Sequence, residues 1–283
     1  MGTVSTKLVF LPPSPPTYDA NAPGLVRIEG PSGRRVPAFI FGPRGDDAQP
    51  DGRQAAEGGL GRVLLCCHSN TEDIGTGHDW YEEMAARLEM TIVTFDFAGY
   101  GCLNEWKASE QKCYEDIETV LQYLVETRNV GYLDIFLLGK SLGSGLAIHL
   151  AHACRSRGQQ LGGLVIQSGF TSAYGVISQR LAAYDSSNED IFENYKKLPG
   201  VEIPVLAVHG RHDEVVPFSN GQTLSTYVAP GLLWRFHEFS ACGHTDIELK
   251  AEDAYLDLMK SFFAHVQELR ALEQPTPPLD TKL

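Results

Sequence analysis

Three residues in this chain could together activate a nucleophile: Ser141 in Gly139-Lys-Ser-Leu-Gly143, Asp213 in His209-Gly-Arg-His-Asp-Glu-Val-Val-Pro217, and His244 in Cys242-Gly-His-Thr-Asp-Ile247. A serine hydroxyl is a poor nucleophile until a base takes its proton and a third group orients that base. Ser141 is expected to attack, His244 to serve as base and Asp213 to orient the imidazole. Glu214 competes locally with Asp213, and the spacing from the preceding apolar run favours Asp213. The chemistry would be acyl transfer from an ester or thioester. Its tetrahedral intermediate needs two N–H donors aimed at the developing oxyanion. The backbone N–H of Leu142 is one candidate. The loop His68-Ser-Asn70 should supply the other, with Asn70 the first choice and Ser69 the second.

These residues must be held by strands and helices, and the pattern of the chain supplies them. The apolar run 135–138 has the length of one buried parallel strand, and 144–153 reads as a helix. A serine on the turn between them must take a strained backbone angle, and glycines two residues to either side let neighbouring chains pass closely. Further strands are expected at 25–29, 36–41, 63–67, 91–96, 163–167, 203–209 and 234–239. Helices are expected over 79–88, from Ser109 through Cys113, Ile117, Val120, Leu121 and Leu124, and over a closing stretch 251–269. Helices between the later strands predict parallel βαβ units covered on both faces. The whole predicts an α/β-hydrolase fold: a mostly parallel eight-stranded sheet, helices on both faces and a short lid. The domain would run over residues 25–270, with a mobile loop at 42–62, a lid region at 168–200 and a disordered tail at 271–283. Asp73 is expected to cap the helix that follows it, and His68 to hydrogen-bond within its loop. His149 and His152 should lie behind the serine's helix, pointing away from the site.

Composition excludes several other classes. The 43% hydrophobic and 21% charged fractions are those of an ordinary globular protein, and the net charge of −13 argues against a nucleic-acid partner. The six cysteines show no metal-ligand spacing, so no metal or cofactor is implied and the thiols read as reduced. No apolar run reaches the roughly 18 residues of a membrane helix. Residues 1–24 form a Pro-rich leader, and Met1-Gly-Thr-Val-Ser-Thr6 fits the N-myristoylation pattern at Gly2. A single such chain binds membranes only marginally. The expected location is cytoplasmic, with peripheral membrane contact through that lipid, and the expected state is a monomer.

The motifs together resemble the α/β-hydrolase-domain-17 family of serine-dependent depalmitoylases (acyl-protein thioesterases). The resemblance covers Lys7-Leu-Val-Phe-Leu-Pro-Pro13, His68-x-Asn-x-x-Asp73-x-Gly75, Asp96-Phe-Ala-Gly-Tyr-Gly101 and the elbow around Ser141. It continues through Asp190-Ile-Phe-Glu-Asn194, the stretch from Gly210 through Asp213 to Val216, and Gly243-His244-x-Asp-Ile-Glu248. It implies the same triad, Ser141, Asp213 and His244, and S-acylated proteins as substrates. Acyl lipids, as for a monoacylglycerol or lysophospholipid esterase, are the alternative; a non-catalytic binding module on the same scaffold is the alternative of another class. The chain departs from the family in lacking its N-terminal cysteine cluster and in carrying Ser69 where the family usually has glycine. A short lid suits a bulky acylated protein. Phe170, Tyr174, Ile177 and Leu181 are expected either to line an acyl groove or to pack on the sheet.

Overall fold

A computed structural model describes residues 9–30, 33–43, 59–180 and 190–273, the side chains of 177–180 and 273 excepted. Among these residues the strands are β1 (Val26–Glu29), β2 (Arg35–Phe41), β3 (Val63–Cys67), β4 (Thr91–Phe95), β5 (Ile135–Lys140), β6 (Gly163–Gln167), β7 (Val205–Gly210) and β8 (Leu233–Phe239). The helices are α1 (His78–Leu88), α2 (Glu110–Gln122), α3 (Leu142–Ser156), α4 (Ala173–Arg180), α5 (Asn194–Lys197), α6 (Phe218–Ser225), α7 (Ile247–Lys250) and α8 (Glu252–Glu273). Ser109 opens α2 as expected, its side chain accepting the Lys112 N–H at 3.3 Å. α8 runs four residues beyond the expected end at Leu269. Gly2, residues 44–58 of the expected mobile loop, Leu181 and the tail beyond Glu273 lie outside the described residues.

The strands form one sheet in the order β1-β2-β4-β3-β5-β6-β7-β8. β1 and β2 pair antiparallel at one edge, β2 meets β4 antiparallel, and from β4 to β8 every pairing is parallel. The two-sided burial of β3, β4 and β6 explains why those strands read as unbroken apolar runs. In β3, Leu64 and Cys66 face α1 and α8, whereas Val63, Leu65 and Cys67 face α2 and α3. Each fully buried Leu or Phe removed from water contributes roughly 1.5–3 kcal/mol. These two apolar layers therefore hold the sheet rigid under its edge. Because β3, β5, β7 and β8 run parallel, their C-terminal ends meet on one side, where an open sheet of this kind places its ligands.

Candidate active site

The nucleophile strand β5 turns into α3 at Ser141, whose backbone stands at φ 52°, ψ −117°. An L-residue adopts this conformation only under constraint. Part of that constraint is visible: the Ser141 N–H donates to the Gln167 carbonyl at the end of β6, at 2.9 Å. Part is close packing. A Cβ on Gly143 would stand 2.2 Å from the Cys67 carbonyl oxygen, so α3 begins hard against the backbone leaving β3. The Leu142 N–H, first in α3, has no acceptor among the described residues and lies at the positive end of a 15-residue helix.

The other two residues arrive from β7 and β8. The Ser141 hydroxyl donates to His244 Nε2 at 2.9 Å, and His244 Nδ1–H donates to Asp213 Oδ2 at 2.7 Å. All three are buried, between 6% and 8% exposed. Asp213 lies in the turn after β7, where its Oδ1 accepts the N–H groups of Val215 and Val216 at 2.9 and 2.7 Å. His209, the next-to-last residue of β7, approaches the same carboxylate with Nε2 3.1 Å from Oδ2, while also donating to the Val216 carbonyl at 2.9 Å. Burial alone would raise the Asp213 carboxyl. The hydrogen bonds from His209, His244 and the Val216 N–H outweigh it and hold the group well below the usual carboxylate range. Glu214, the sequence competitor, is exposed. The end of β7 also touches the base loop directly, since a Cβ on Gly210 would stand 2.2 Å from the Gly243 carbonyl.

The loop after β3 divides the expected oxyanion donors. The Ser69 N–H donates to Glu72 Oε2 at 3.2 Å, so it is committed inside the loop. The Asn70 N–H has no acceptor among the described residues. The Asn70 side chain anchors the loop: its Oδ1 accepts the Leu11 N–H at 2.9 Å and the Tyr100 hydroxyl at 2.5 Å. Ser69 is absent from the non-glycine residues with positive φ, so its backbone needs no glycine. His68 is fully buried, with Nδ1 2.8 Å from the Ser69 carbonyl oxygen and Nε2 3.2 Å from Asp96 Oδ1. The expected role of Asp73 is corrected. α1 starts at His78 without a side-chain cap, and the Asp73 carboxylate instead accepts the Thr17 N–H at 2.8 Å, the Thr17 hydroxyl and the Gly75 and Thr76 N–H groups. It ties the N-terminal leader to this loop.

One cluster is marked by no motif in the sequence. Lys140, between the elbow glycine and the nucleophile, turns its ammonium to the α1 and α8 side of the sheet. There Nζ lies 2.9 Å from Glu72 Oε1 and 3.0 Å from Glu248 Oε1. The same Glu248 oxygen accepts the Gln167 side-chain N–H at 2.9 Å, and Gln167 Oε1 accepts the Tyr255 hydroxyl at 2.7 Å. Burial would strip the charge from Lys140, but Glu248 and Glu72 hold it well above the usual lysine range. Burial would likewise raise Glu72; Lys140 keeps it below its ordinary value. A cavity of about 200 Å³ adjoins the cluster, bordered by Lys140, Glu72, Gln167, Glu248, Trp80 and Tyr81. The only advance signal was a lysine in a segment otherwise fit for burial, which demands buried anions.

Phe170 and Tyr174, two of the four candidate groove residues, are each 4% exposed and packed in the core, Phe170 with Phe192 at 6.5 Å. That is the packing arrangement of the two weighed from sequence; the side chains of Ile177 and Leu181 lie outside the description. His149 stacks on Tyr114 with ring centroids 3.5 Å apart, and His152 packs beside Gly200, both away from the edge. Among the described residues no group of three or more His, Cys, Asp or Glu is placed to hold a metal ion. None of their helices is long and apolar enough to cross a membrane.

Comparison with known proteins agrees with this fold. A family model described as alpha/beta hydrolase fold matches residues 68–215. The alpha/beta hydrolase domain-containing protein 17C of Xenopus tropicalis is 30% identical over 295 residues, covering 93% of this chain and 89% of that protein. The alpha/beta hydrolase domain-containing protein aho-3 of Caenorhabditis elegans is 32% identical over 207 residues, and protein 17C of Mus musculus 31% identical over 208. The chain spans only 57% and 60% of the lengths of these last two. Among solved structures, a puromycin-hydrolyzing peptidase of Mycobacterium tuberculosis superposes with a TM-score of 0.69 at 18% identity, over 86% of this chain and 39% of that one. The esterase Pf2001 of Pyrococcus furiosus gives 0.62 at 13% identity, over 85% and 91%. At these identities the structural likeness is one of fold.

Proposed function

Because the chain belongs to the alpha/beta hydrolase domain-containing protein 17 family, and so is a hydrolase by family, we propose that it is a serine hydrolase releasing long acyl chains from protein cysteines through an acyl-serine intermediate. The observation that carries the serine mechanism is the unbroken relay of 2.9 and 2.7 Å from Ser141 through His244 to Asp213.

In this reading His244 Nε2 takes the Ser141 proton as Oγ attacks the thioester carbonyl. Asp213, ionised and held by four donors, keeps Nδ1–H pointed away from the serine and stabilises the imidazolium. The oxyanion is received by the free N–H of Leu142, with Asn70 contributing its backbone N–H and Ser69 holding the loop through Glu72. Collapse expels a cysteine thiolate, which takes the proton from the His244 imidazolium, and the neutral His244 then activates water against the acyl-serine. A thiolate with a pKa of about 8.5 leaves without much help from a proton donor.

Family resemblance supports the thioester as substrate. The length of the lid region supports a protein substrate: 168–200 is short for a closed helical cap, and its described part holds one eight-residue helix, α4, one four-residue helix, α5, and a short 3-10 turn. The reading takes the enzyme as a cytoplasmic monomer held peripherally at a membrane by a lipid on Gly2, which the mass of the N-terminal peptide tests.

The activity test compares a palmitoyl-cysteine peptide with a monoacylglycerol, using wild type and Ser141→Ala. Faster, Ser141-dependent release from the peptide supports the proposal. Preference for the monoacylglycerol moves the same serine to lipid substrates. No turnover of either and no fluorophosphonate labelling of Ser141 overturns the enzyme.

A further inference from the structure

We infer that Lys140 is a positioning residue for this reaction, holding the oxyanion loop and the base loop in register with the nucleophile through its paired contacts to Glu72 and Glu248. The inference rests on the serine-hydrolase reading above and adds to it a component lying outside the triad and the oxyanion donors.

Connectivity is the first ground. Glu72 belongs to the loop that carries Ser69 and Asn70, and its second oxygen accepts the Ser69 N–H at 3.2 Å. Glu248 is the second residue of α7, four residues after His244, and shares its oxygen with Gln167, whose backbone carbonyl receives the Ser141 N–H at 2.9 Å. One ammonium thus meets all three segments that must agree on the position of the reacting carbonyl. Residues 72, 140 and 248 have no local contact in sequence that could do this.

Charge is the second ground. With Lys140 present, two largely buried carboxylates converge on one cation at 2.9 and 3.0 Å. Without it they face each other uncompensated, and breaking a buried ion pair by removing one partner leaves a charge that must move to water. The adjoining cavity of about 200 Å³ gives Glu72 room to do so. Its departure releases the Ser69 N–H, and the peptide that carries the Asn70 N–H loses its anchor. Displacing oxyanion donors affects the transition state far more than the ground state.

The test uses the full chain, with Lys140→Met, Lys140→Arg, Glu72→Gln and the double variant Lys140→Met/Glu72→Gln, on a p-nitrophenyl acyl ester. Lys140→Met is expected to lower kcat by about 10- to 100-fold with KM within about twofold, in proportion to weaker binding of a trifluoromethyl-ketone mimic of the tetrahedral intermediate. Lys140→Arg, which keeps the charge, should restore most of the loss. The double variant should be no slower than Lys140→Met, because both changes cut one path. Hydrogen exchange at the Ser69 amide should accelerate in Lys140→Met and Glu72→Gln, a readout independent of turnover.

The inference is overturned if kcat and Ser69 exchange stay at wild-type values, or if kcat, KM and melting temperature fall together without rescue by arginine. Should Lys140→Met not fold, the isosteric Glu72→Gln alone decides between these results. A wild type without Ser141-dependent turnover would instead defeat the serine-hydrolase reading, while the exchange measurement would still report on the Lys140 clamp.

Discussion

His209 Nε2 lies 3.1 Å from Asp213 Oδ2, the same carboxylate oxygen that receives His244 at 2.7 Å. One oxygen therefore serves two imidazoles, one in the relay and one buried behind it. Replacing His209 by phenylalanine fills the space but removes a donor. The carboxyl then moves up toward its ordinary range. A depressed folded pKa gives stability that is present above the unfolded value of about 3.9 and lost as pH falls through the folded value. His209→Phe should therefore be less stable than wild type at pH 7, with the difference closing below about pH 4. Its kcat should fall about tenfold, equivalent to roughly 1.4 kcal/mol. Urea unfolding across pH and steady-state kinetics check both; equal stability at pH 7 would show that His209 is a bystander.

His149 gives a second pH dependence. Burial first, then the charge of Lys197, pull its imidazole down to about 4, against the weaker opposing pull of Glu118 and Glu110. The folded state thus keeps His149 neutral where the unfolded chain is already protonated. Its contribution is fully present above about pH 6.5 and lost progressively as pH falls toward 4. His149→Gln should flatten the stability profile within that window and leave it unchanged above pH 7. Histidine NMR titration offers the direct check.

Much of this was readable in advance, and the reasons are local. Each of the eight strands is an apolar run or alternation of five or so residues bounded by turn signals, and the sheet buries them as those patterns demand. Ser141, Asp213 and His244 were legible because a turn between strand and helix, and two turns after strands, leave side chains at one edge. What stayed hidden was long-range. Lys140 meets Glu72 and Glu248 from across the sheet, and no spacing rule joins them. Asp73 looked like a helix cap because it precedes α1; its partner turned out to be Thr17, 56 residues away. Phe170 and Tyr174 could have faced a groove or the core, since an aromatic residue is equally suited to either.

Stability should depend most on the α8 side of the sheet. Phe262 is fully buried, tilted against Trp234 at 5.6 Å and beside Phe263 at 5.8 Å. Phe262→Ala should cost about 3–5 kcal/mol by the lost transfer energy and the void left behind. Leu269, 38% exposed on the same helix, should tolerate alanine within about 0.5 kcal/mol. Denaturant midpoints at constant m-value measure the contrast.

Gly143→Ala tests the contact between α3 and the β3 exit. Its Cβ would sit 2.2 Å from the Cys67 carbonyl oxygen, with backbone on both sides of the clash. Overpacking of this kind costs about 1–3 kcal/mol. The activity loss should be larger, about 100-fold, because the shift moves the Leu142 N–H relative to the His68 loop. Normal kcat in a folded Gly143→Ala protein would show that the helix start can slide without consequence.

The glycine contacts at 143 and 210 also bear on how such a sequence can change over generations. At both places the wall of the site is main chain against main chain, with 2.2 Å to spare for a methyl that needs more than 3 Å. No conservative replacement exists there, so drift has no small step to take. Among the described residues the lid region differs: at Gly169, Gly175 and Gly200 the nearest atoms belong to side chains, which can move, and the leader rests on the Asn70 side chain. Selection for a new acyl chain or a new protein partner has its freedom in those rims, while the floor beneath them stays closed to trial.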